Sequence, residues 1–148
     1  AAGAGFKFAM YQPRAEDLAA VQAYLRSLQP ERSPYRLANG DLSEKAKRGK
    51  AIFEDAKVGC NHCHTGEQFT SGKSYNVGTH GEFDAENHTQ FDTPSLIEIW
   101  RTAPYLHDGR AVTLQEIFTK YNPNGRHGNT SQLSKEQIDD LVEYLLSL

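Results

Sequence analysis

A chain of 148 residues is long enough to enclose one hydrophobic core without the help of disulfide bonds. Its net charge of −3 offers no basic surface for nucleic acid, so we expect no nucleic-acid partner. No apolar stretch approaches the roughly 20 residues that a membrane-spanning helix needs, and the sequence predicts no transmembrane segment.

The first predicted element is a helix over residues 15–28, where leucine and valine recur at helical spacing. Two prolines end it and indicate a linker over residues 29–42. The helix resembles residues 135–148, with Glu, Tyr, Leu, Ser and Leu coinciding in register. One interpretation is that two amphipathic helices have become similar by composition alone. The alternative is that residues 1–28 are the tail of a preceding, similar domain, and that the chain is a fragment of a larger protein.

The rest of the chain is predicted to be an all-α domain over residues 43–148. Apolar stripes and capping residues indicate helices at about 43–56, 95–100, 113–121 and 134–148. Residues 65–92 show no periodicity and are rich in Gly, Ser, Asn, Asp and Thr. A loop of this length in a compact domain is usually functional or wrapped around a ligand. No run shows the alternation that is typical of a strand.

The most informative motif is C-x-x-C-H, formed by Cys60, Cys63 and His64. One helical turn places two thiols where each can add to a vinyl group of a haem, and the following histidine then binds the iron from the proximal side. The sequence therefore predicts a cytochrome c-like domain wrapped around one covalently bound haem c. We expect the long irregular loop to lie on the distal side of that haem.

Two other kinds of site use a C-x-x-C pair. A tetrahedral zinc site needs four ligands, and here the remaining ones have to come from histidines such as His80, His88, His107 and His127. A thioredoxin-like dithiol needs a strand before the motif, whereas an amphipathic helix precedes it in this chain. We therefore favour haem. Because the thioether bonds of haem c are normally made outside the cytoplasm, we expect an exported protein, in a bacterial periplasm or at a cell surface.

Three blocks of sequence resemble the C-terminal haem domain of the bacterial di-haem cytochrome c peroxidase family, which includes the haem enzyme that matures methylamine dehydrogenase. They are the C-x-x-C-H motif, residues 91–96, and residues 102–116, which match T-x-P-Y-x-H-D-G-x-x-x-T-L-x-E without gaps. In this family the C-terminal domain transfers electrons, and peroxide is reduced at a second haem in an N-terminal domain. That second C-x-x-C-H is absent here.

The resemblance implies single-electron transfer by one module of a peroxidase-like or multidomain redox protein. Its partner is then a redox protein or an upstream domain of the same protein. The alternative is a haem enzyme, a peroxidase or oxidase, whose sixth iron position is open or displaceable. Whether this chain is itself an enzyme stays undecided at the level of the sequence.

The sixth iron ligand is also undecided. In the family, a Met or a Tyr lies fourteen residues after the histidine of the P-Y-x-H-D-G block, and that position is Tyr121 here. The single methionine, Met10, is an alternative if the N-terminal residues fold back on the haem. His80, His88 and His127 are further candidates. A phenolate ligand favours Fe(III) and lowers the potential, whereas a thioether raises it.

Five more residues are candidates for the site. By resemblance, His107 lies beside the haem and helps electrons to pass, although a structural histidine fits the sequence equally well. Trp100 is expected to pack against the haem. Arg101 is expected either to pair with a haem propionate through its planar guanidinium or to be a solvated surface residue. The family also binds calcium through backbone carbonyls that match Thr102 and Pro104, so calcium is a second candidate cofactor.

Overall fold

The computed structural model describes residues 12–148, and over that range the chain is mostly helical. Its elements are α1 (Ala15–Ser27), α2 (Glu44–Glu54), α3 (Cys60–Cys63), β1 (Ser74–Tyr75), β2 (Phe91–Asp92), a 3-10 helix (Ile99–Arg101), α4 (Leu114–Thr119) and α5 (Lys135–Leu146). The chain divides into two compact units, Ala1–Pro30 and Glu31–Leu148. Over residues 12–148, none of the helices is both long enough and apolar enough to cross a membrane.

Helix α1 is the described element of the first unit. Its start is fixed by a capping box in which the Asp17 carboxylate accepts a hydrogen bond from the backbone N of Arg14 at 3.2 Å. The apolar residues that predicted this helix include Leu18, Val21 and Leu25, and each of them is more than half exposed. Local hydrogen bonds therefore hold α1, since none of its residues is buried.

The core of the second unit forms where α2 packs against α5. Each helix begins at a serine whose hydroxyl accepts a backbone N–H: Ser43 from Ala46 at 3.1 Å and Ser134 from Gln137 at 3.2 Å. Gly49 lets the two backbones approach so closely that an added Cβ would overlap the carbonyl oxygen of Asp140. The buried residues of the two helices include Ala46, Phe53, Ile138, Leu141, Val142 and Leu145.

Most of the predicted linker, residues 31–42, belongs to the second unit and is bonded to the end of α5. The Ser33 hydroxyl donates to the Leu146 carbonyl at 2.5 Å, and Arg36 donates through Nε to the Ser147 carbonyl at 2.8 Å. The last carbonyls of a helix have no partner within the helix itself. These two side chains therefore cap α5, and this segment is an ordered part of the unit.

The long loop contains the two short strands, which the sequence did not predict. Strands β1 and β2 pair antiparallel, with Ser74 opposite Asp92 and Tyr75 opposite Phe91. A strand of two residues is too short to show alternation, which explains the missed prediction. Thr93 reinforces the pairing, because its hydroxyl donates to the Lys73 carbonyl at 2.7 Å. The two ends of the loop are thereby fastened together.

The helix predicted over residues 95–100 is replaced by the shorter 3-10 helix over Ile99–Arg101. The hydroxyl of Ser95 accepts a hydrogen bond from the Ile97 N at 3.1 Å, which forms a local turn instead of a helical cap. Glu98 then adopts a φ of 59°, a left-handed conformation that an α-helix does not contain. The helix is therefore interrupted before Ile99.

Candidate haem site

A cavity of about 690 Å³ lies between the C-x-x-C-H segment, the long loop, α4 and the loop that precedes α5. Cavities that hold cofactors in proteins are roughly 300–1,000 Å³ and mostly apolar. The apolar side chains that line the cavity include Phe53, Leu96, Leu114, Ile117, Phe118 and Leu145. The hydrophobic core of the second unit thus forms one wall of a space large enough for a cofactor.

Helix α3 brings Cys60 and Cys63 to this cavity, with His64 directly after it, as the sequence predicts. The two cysteines do not form a disulfide with each other, and burial raises the pKa of the Cys60 thiol to about 11. Redox-active dithiols instead have a lowered pKa, because the thiolate is the reactive form. The environment of Cys60 therefore does not suit a thioredoxin-like dithiol.

The His64 ring is oriented by a backbone carbonyl. Its Nδ1 donates to the Phe69 carbonyl at 3.0 Å, so Nε2 is the nitrogen left for a metal. Phe69 is itself held by an edge-to-face contact with the buried Phe53, whose ring centroid lies 6.0 Å away. Burial lowers the pKa of His64, which favours the neutral imidazole that binds metals.

A second imidazole, that of His127, lines the same cavity. Its ring centroid lies 6.3 Å from that of His64, and the two ring planes differ by 29°. The Nδ1 atom of His127 is buried without a hydrogen-bond partner. Burial, together with the nearby His64, lowers the pKa of His127 to about 4. The structure therefore brings together two histidines that are 63 residues apart in the chain.

The loop that carries His127 is fixed at several points. The Asn122 side chain accepts a hydrogen bond from the His127 N at 2.9 Å and donates to the Gly128 carbonyl at 2.8 Å. On the other side, the Asn129 N donates to the Val58 carbonyl at 2.8 Å. Gly128 has a φ of 76°, and an added Cβ would lie 3.3 Å from the Val58 oxygen. Only glycine fits this turn without strain.

The structure does not bring Tyr121 to the cavity. Its hydroxyl donates to the Arg110 carbonyl at 2.9 Å, and the Lys120 Nζ lies 4.8 Å from its ring centroid. Tyr121 packs against the outside of the hydrophobic core and is not one of the residues that line the cavity. The other candidate named from the sequence, Met10, lies outside the described residues.

The remaining histidine candidates differ in their relation to the cavity. His107 lines it, with Nε2 2.8 Å from the Asp84 carboxylate and its ring stacked on Phe91 at 3.7 Å. The pKa of Asp84 lies below its usual range. The main cause is the hydrogen bond from the backbone N–H of Gly81, and the hydrogen bond with His107 adds to it. His80 is exposed and does not line the cavity, and its Nδ1 donates to the His88 carbonyl at 3.1 Å.

Arg101 belongs to a surface ion-pair network. Its guanidinium lies 2.6 Å from the Glu98 carboxylate and 3.6 Å from that of Glu31, and it covers the Trp100 ring. Of the two alternatives predicted for Arg101, the structure therefore shows the surface residue and not the partner of a haem propionate. Neither Trp100 nor Arg101 lines the cavity. Among the residues that line the cavity, the positive charge comes instead from Arg126, which no sequence motif indicates.

The calcium and zinc alternatives differ in what the structure shows of their donor atoms. Thr102 and Pro104, whose backbone carbonyls are the predicted calcium ligands, both line the cavity. Among residues 12–148, no group of three or more His, Cys, Asp or Glu side chains is arranged to hold a metal ion. That part of the chain therefore lacks the four ligands that a zinc site needs. Calcium stays a prediction.

The residues that line the cavity fit haem c. Two thiols and an imidazole with a free Nε2 lie on one short segment, and an apolar wall faces them. The His127 ring also lacks a protein partner at Nδ1, which is buried and makes no hydrogen bond. Cys60, Cys63 and His64 would hold the haem, and Arg126 supplies a cation that pairs with carboxylates of the propionate kind.

Comparison with known proteins agrees with this site. Residues 46–148 match the family model of cytochrome c. The chain is 36% identical to the hydrazine synthase subunit gamma of Kuenenia stuttgartiensis, over 88% of this chain and 48% of that protein. It is 30% identical to the methylamine utilization protein MauG of Methylorubrum extorquens, over 88% of this chain and 43% of that one. The chain thus spans about half the length of the curated relatives that it matches.

The solved structures give the same result. A structure of the hydrazine synthase of Kuenenia stuttgartiensis has a TM-score of 0.78 at 32% identity, covering 91% of this chain and 56% of that one. A MauG-like protein associated with microbial copper homeostasis, at 23% identity, shares the fold with a TM-score of 0.70 over 99% of this chain and 60% of that one. The predicted fold class, the covalent haem c and the resemblance to peroxidase-like proteins are confirmed. The chain belongs to the cytochrome c family and is related to the haem domains of MauG and the bacterial cytochrome c peroxidases.

Proposed function

We propose that this chain is a one-electron relay within a larger redox protein. The observation that carries the proposal is the apolar cavity lined by Cys60, Cys63 and His64, with the His127 ring centroid 6.3 Å from that of His64. When bound, haem c supplies an iron that changes between Fe(III) and Fe(II). The chain itself excludes water with its apolar wall and orients His64 through the Phe69 carbonyl.

The relatives support a shared task. A hydrazine synthase subunit, a methylamine utilization protein and a cytochrome c peroxidase of Denitromonas iodatirespirans are named for three different activities. Each is similar to this chain over a region that covers less than half of its own length. One-electron transfer is a role that the shared region can have in all three relatives. A specific reaction, by contrast, would explain the region in only one of them. The partner is then a redox protein or another domain of the same protein.

We also propose that the protein is exported. The support is chemical, because thioether attachment to Cys60 and Cys63 normally takes place outside the cytoplasm. In a bacterial host the chain is expected to acquire covalent haem when it is directed to the periplasm. It should stay free of covalent haem when it is retained in the cytoplasm, and the mass of the purified chain distinguishes the two cases.

The relay is tested by a spectroelectrochemical titration of the full chain, produced with the cytochrome c assembly machinery. We expect a single one-electron Nernstian transition, and no catalytic consumption of hydrogen peroxide when a reductant is present. The same chain prepared without covalent haem serves as the control and should show no transition. Sustained peroxide turnover by the chain alone would contradict the relay and favour the enzyme alternative.

A further inference from the structure

We propose that His127 is the sixth ligand of the iron, so that the haem is held between two imidazoles, those of His64 and His127. This inference rests on the proposed haem relay and deepens it, because it closes the coordination position that an enzyme of this kind keeps open. Three features support His127 as the ligand: the distance between the two rings, the surroundings of the His127 ring and the positions of the other candidate ligands.

The distance between the rings is the first step. The ring centroids of His64 and His127 lie 6.3 Å apart, and the two ring planes are within 29° of each other. Two imidazoles that bind one metal at about 2.0–2.1 Å, with each nitrogen about 1.1 Å from its ring centroid, have centroids about 6.3 Å apart. The separation between the two rings therefore equals the one that a shared metal ion requires.

The surroundings of His127 are the second step. Its Nδ1 is enclosed without a partner, whereas the ring lines the cavity, so Nε2 is the nitrogen available to a ligand. Leaving a buried polar atom unpaired costs free energy, so other contacts have to hold this ring in place. A ligating histidine is usually oriented through its second nitrogen. Here the backbone on either side of His127 is fixed by Asn122 instead.

The third observation concerns the other candidate ligands of the iron. The Tyr121 hydroxyl is bonded to the Arg110 carbonyl, and its side chain lies outside the cavity wall. His107 lines the cavity, but its Nε2 is paired with Asp84 and its ring is stacked on Phe91. Among the described residues that were candidates, His127 therefore combines access to the cavity with a side chain that has no hydrogen bond.

The direct test is a His127→Ala variant of the full chain, with absorption and EPR spectra of the oxidised form. We expect the wild type to be six-coordinate and low-spin. The variant should become five-coordinate and high-spin, its reduced form should bind carbon monoxide, and added imidazole should restore the low-spin spectrum. His80→Ala is the matched control, since His80 is exposed and does not line the cavity. It should keep the spectrum of the wild type.

Two further variants keep the test decisive. His127→Met is expected to stay six-coordinate with a higher midpoint potential, because thioether ligation favours Fe(II). Tyr121→Phe and Met10→Ala are expected to leave the spectrum unchanged. The proposal is overturned if the wild type is high-spin, if His127→Ala stays low-spin, or if either of these last two substitutions removes the low-spin signal. Mass spectrometry separates this result from failure of the relay, since a chain without covalent haem would contradict the proposed function itself.

Asn122 is a positioning residue in this scheme, because it touches the backbone of the loop and not the haem. We expect Asn122→Ala to give a mixture of low-spin and high-spin spectra, with imidazole converting the high-spin fraction. Asn124→Ala removes the same side chain from an exposed position of the same loop and should leave the spectrum unchanged. A fully low-spin Asn122→Ala variant would show that the loop holds His127 in place without this clamp.

Discussion

A chain in which Cys60 and Cys63 are both replaced by alanine is expected to be purified with the mass of the bare polypeptide. The two thiols on α3 line the cavity and are the points at which haem would be attached. Without them no thioether forms. Each single variant should keep one linkage and therefore some covalent haem. Mass spectrometry under denaturing conditions, together with haem staining of the denatured chain, measures the effect.

The double variant is also expected to lose its fixed tertiary structure. Without haem, about 690 Å³ of apolar-walled space has to fill with water or collapse. The lost burial is expected to be comparable with the whole stability of a small domain, about 5–15 kcal/mol. Near-ultraviolet circular dichroism should therefore weaken more than the far-ultraviolet signal. Asn61→Ala is the matched control, because Asn61 is an exposed residue between the two cysteines that does not line the cavity. Covalent haem in the double variant would refute this account of the site.

A Gly49→Ala variant is expected to lose about 3 kcal/mol of unfolding free energy or more. The added methyl group would overlap the backbone carbonyl of Asp140, and a backbone cannot move aside as a flexible side chain does. Overpacking of a core costs about 1–3 kcal/mol, and here α2 has to separate from α5 along the main contact of the fold. The better helix propensity of alanine offsets only about 1 kcal/mol of this loss.

The Gly49 prediction is measured by chemical denaturation of the haem-loaded protein. Lys45→Ala is a suitable control, since Lys45 is an exposed residue of the same helix and its loss should change stability by less than about 0.5 kcal/mol. If Gly49→Ala unfolds at the same denaturant concentration as the wild type, the close approach of α2 to α5 is not needed for stability. A loss confined to this variant supports the packing described above.

The haem attachment segment could be predicted from the sequence because covalent chemistry fixes both the residue types and their spacing. Helices α2, α4 and α5 were also predictable, since Ser43, Thr113 and Ser134 each cap an amphipathic run. In each of these cases the signal is local. A residue and its neighbours within one or two helical turns contain all the information that the prediction needs.

The position of His127 was not predictable in the same way. Its loop has no periodicity, and its place opposite His64 depends on the bonds that Asn122 makes across the loop and on the link from Asn129 to Val58. The count from His107 to Tyr121 was a local signal as well, but the chain turns the Tyr121 hydroxyl to the Arg110 carbonyl. Tertiary contacts that the sequence does not state decide which side chain reaches the cavity.

The hydrogen bond between the Asn129 N and the Val58 carbonyl joins the two sides of the cavity. Val58 lies two residues before Cys60, and Asn129 lies two residues after His127, so the segments that carry the two imidazoles share one rigid connection. If His127 binds the iron as proposed, this link helps to hold the two ligand-bearing segments in the same place in both oxidation states. We then expect a small reorganisation energy and rapid electron exchange at a modest driving force.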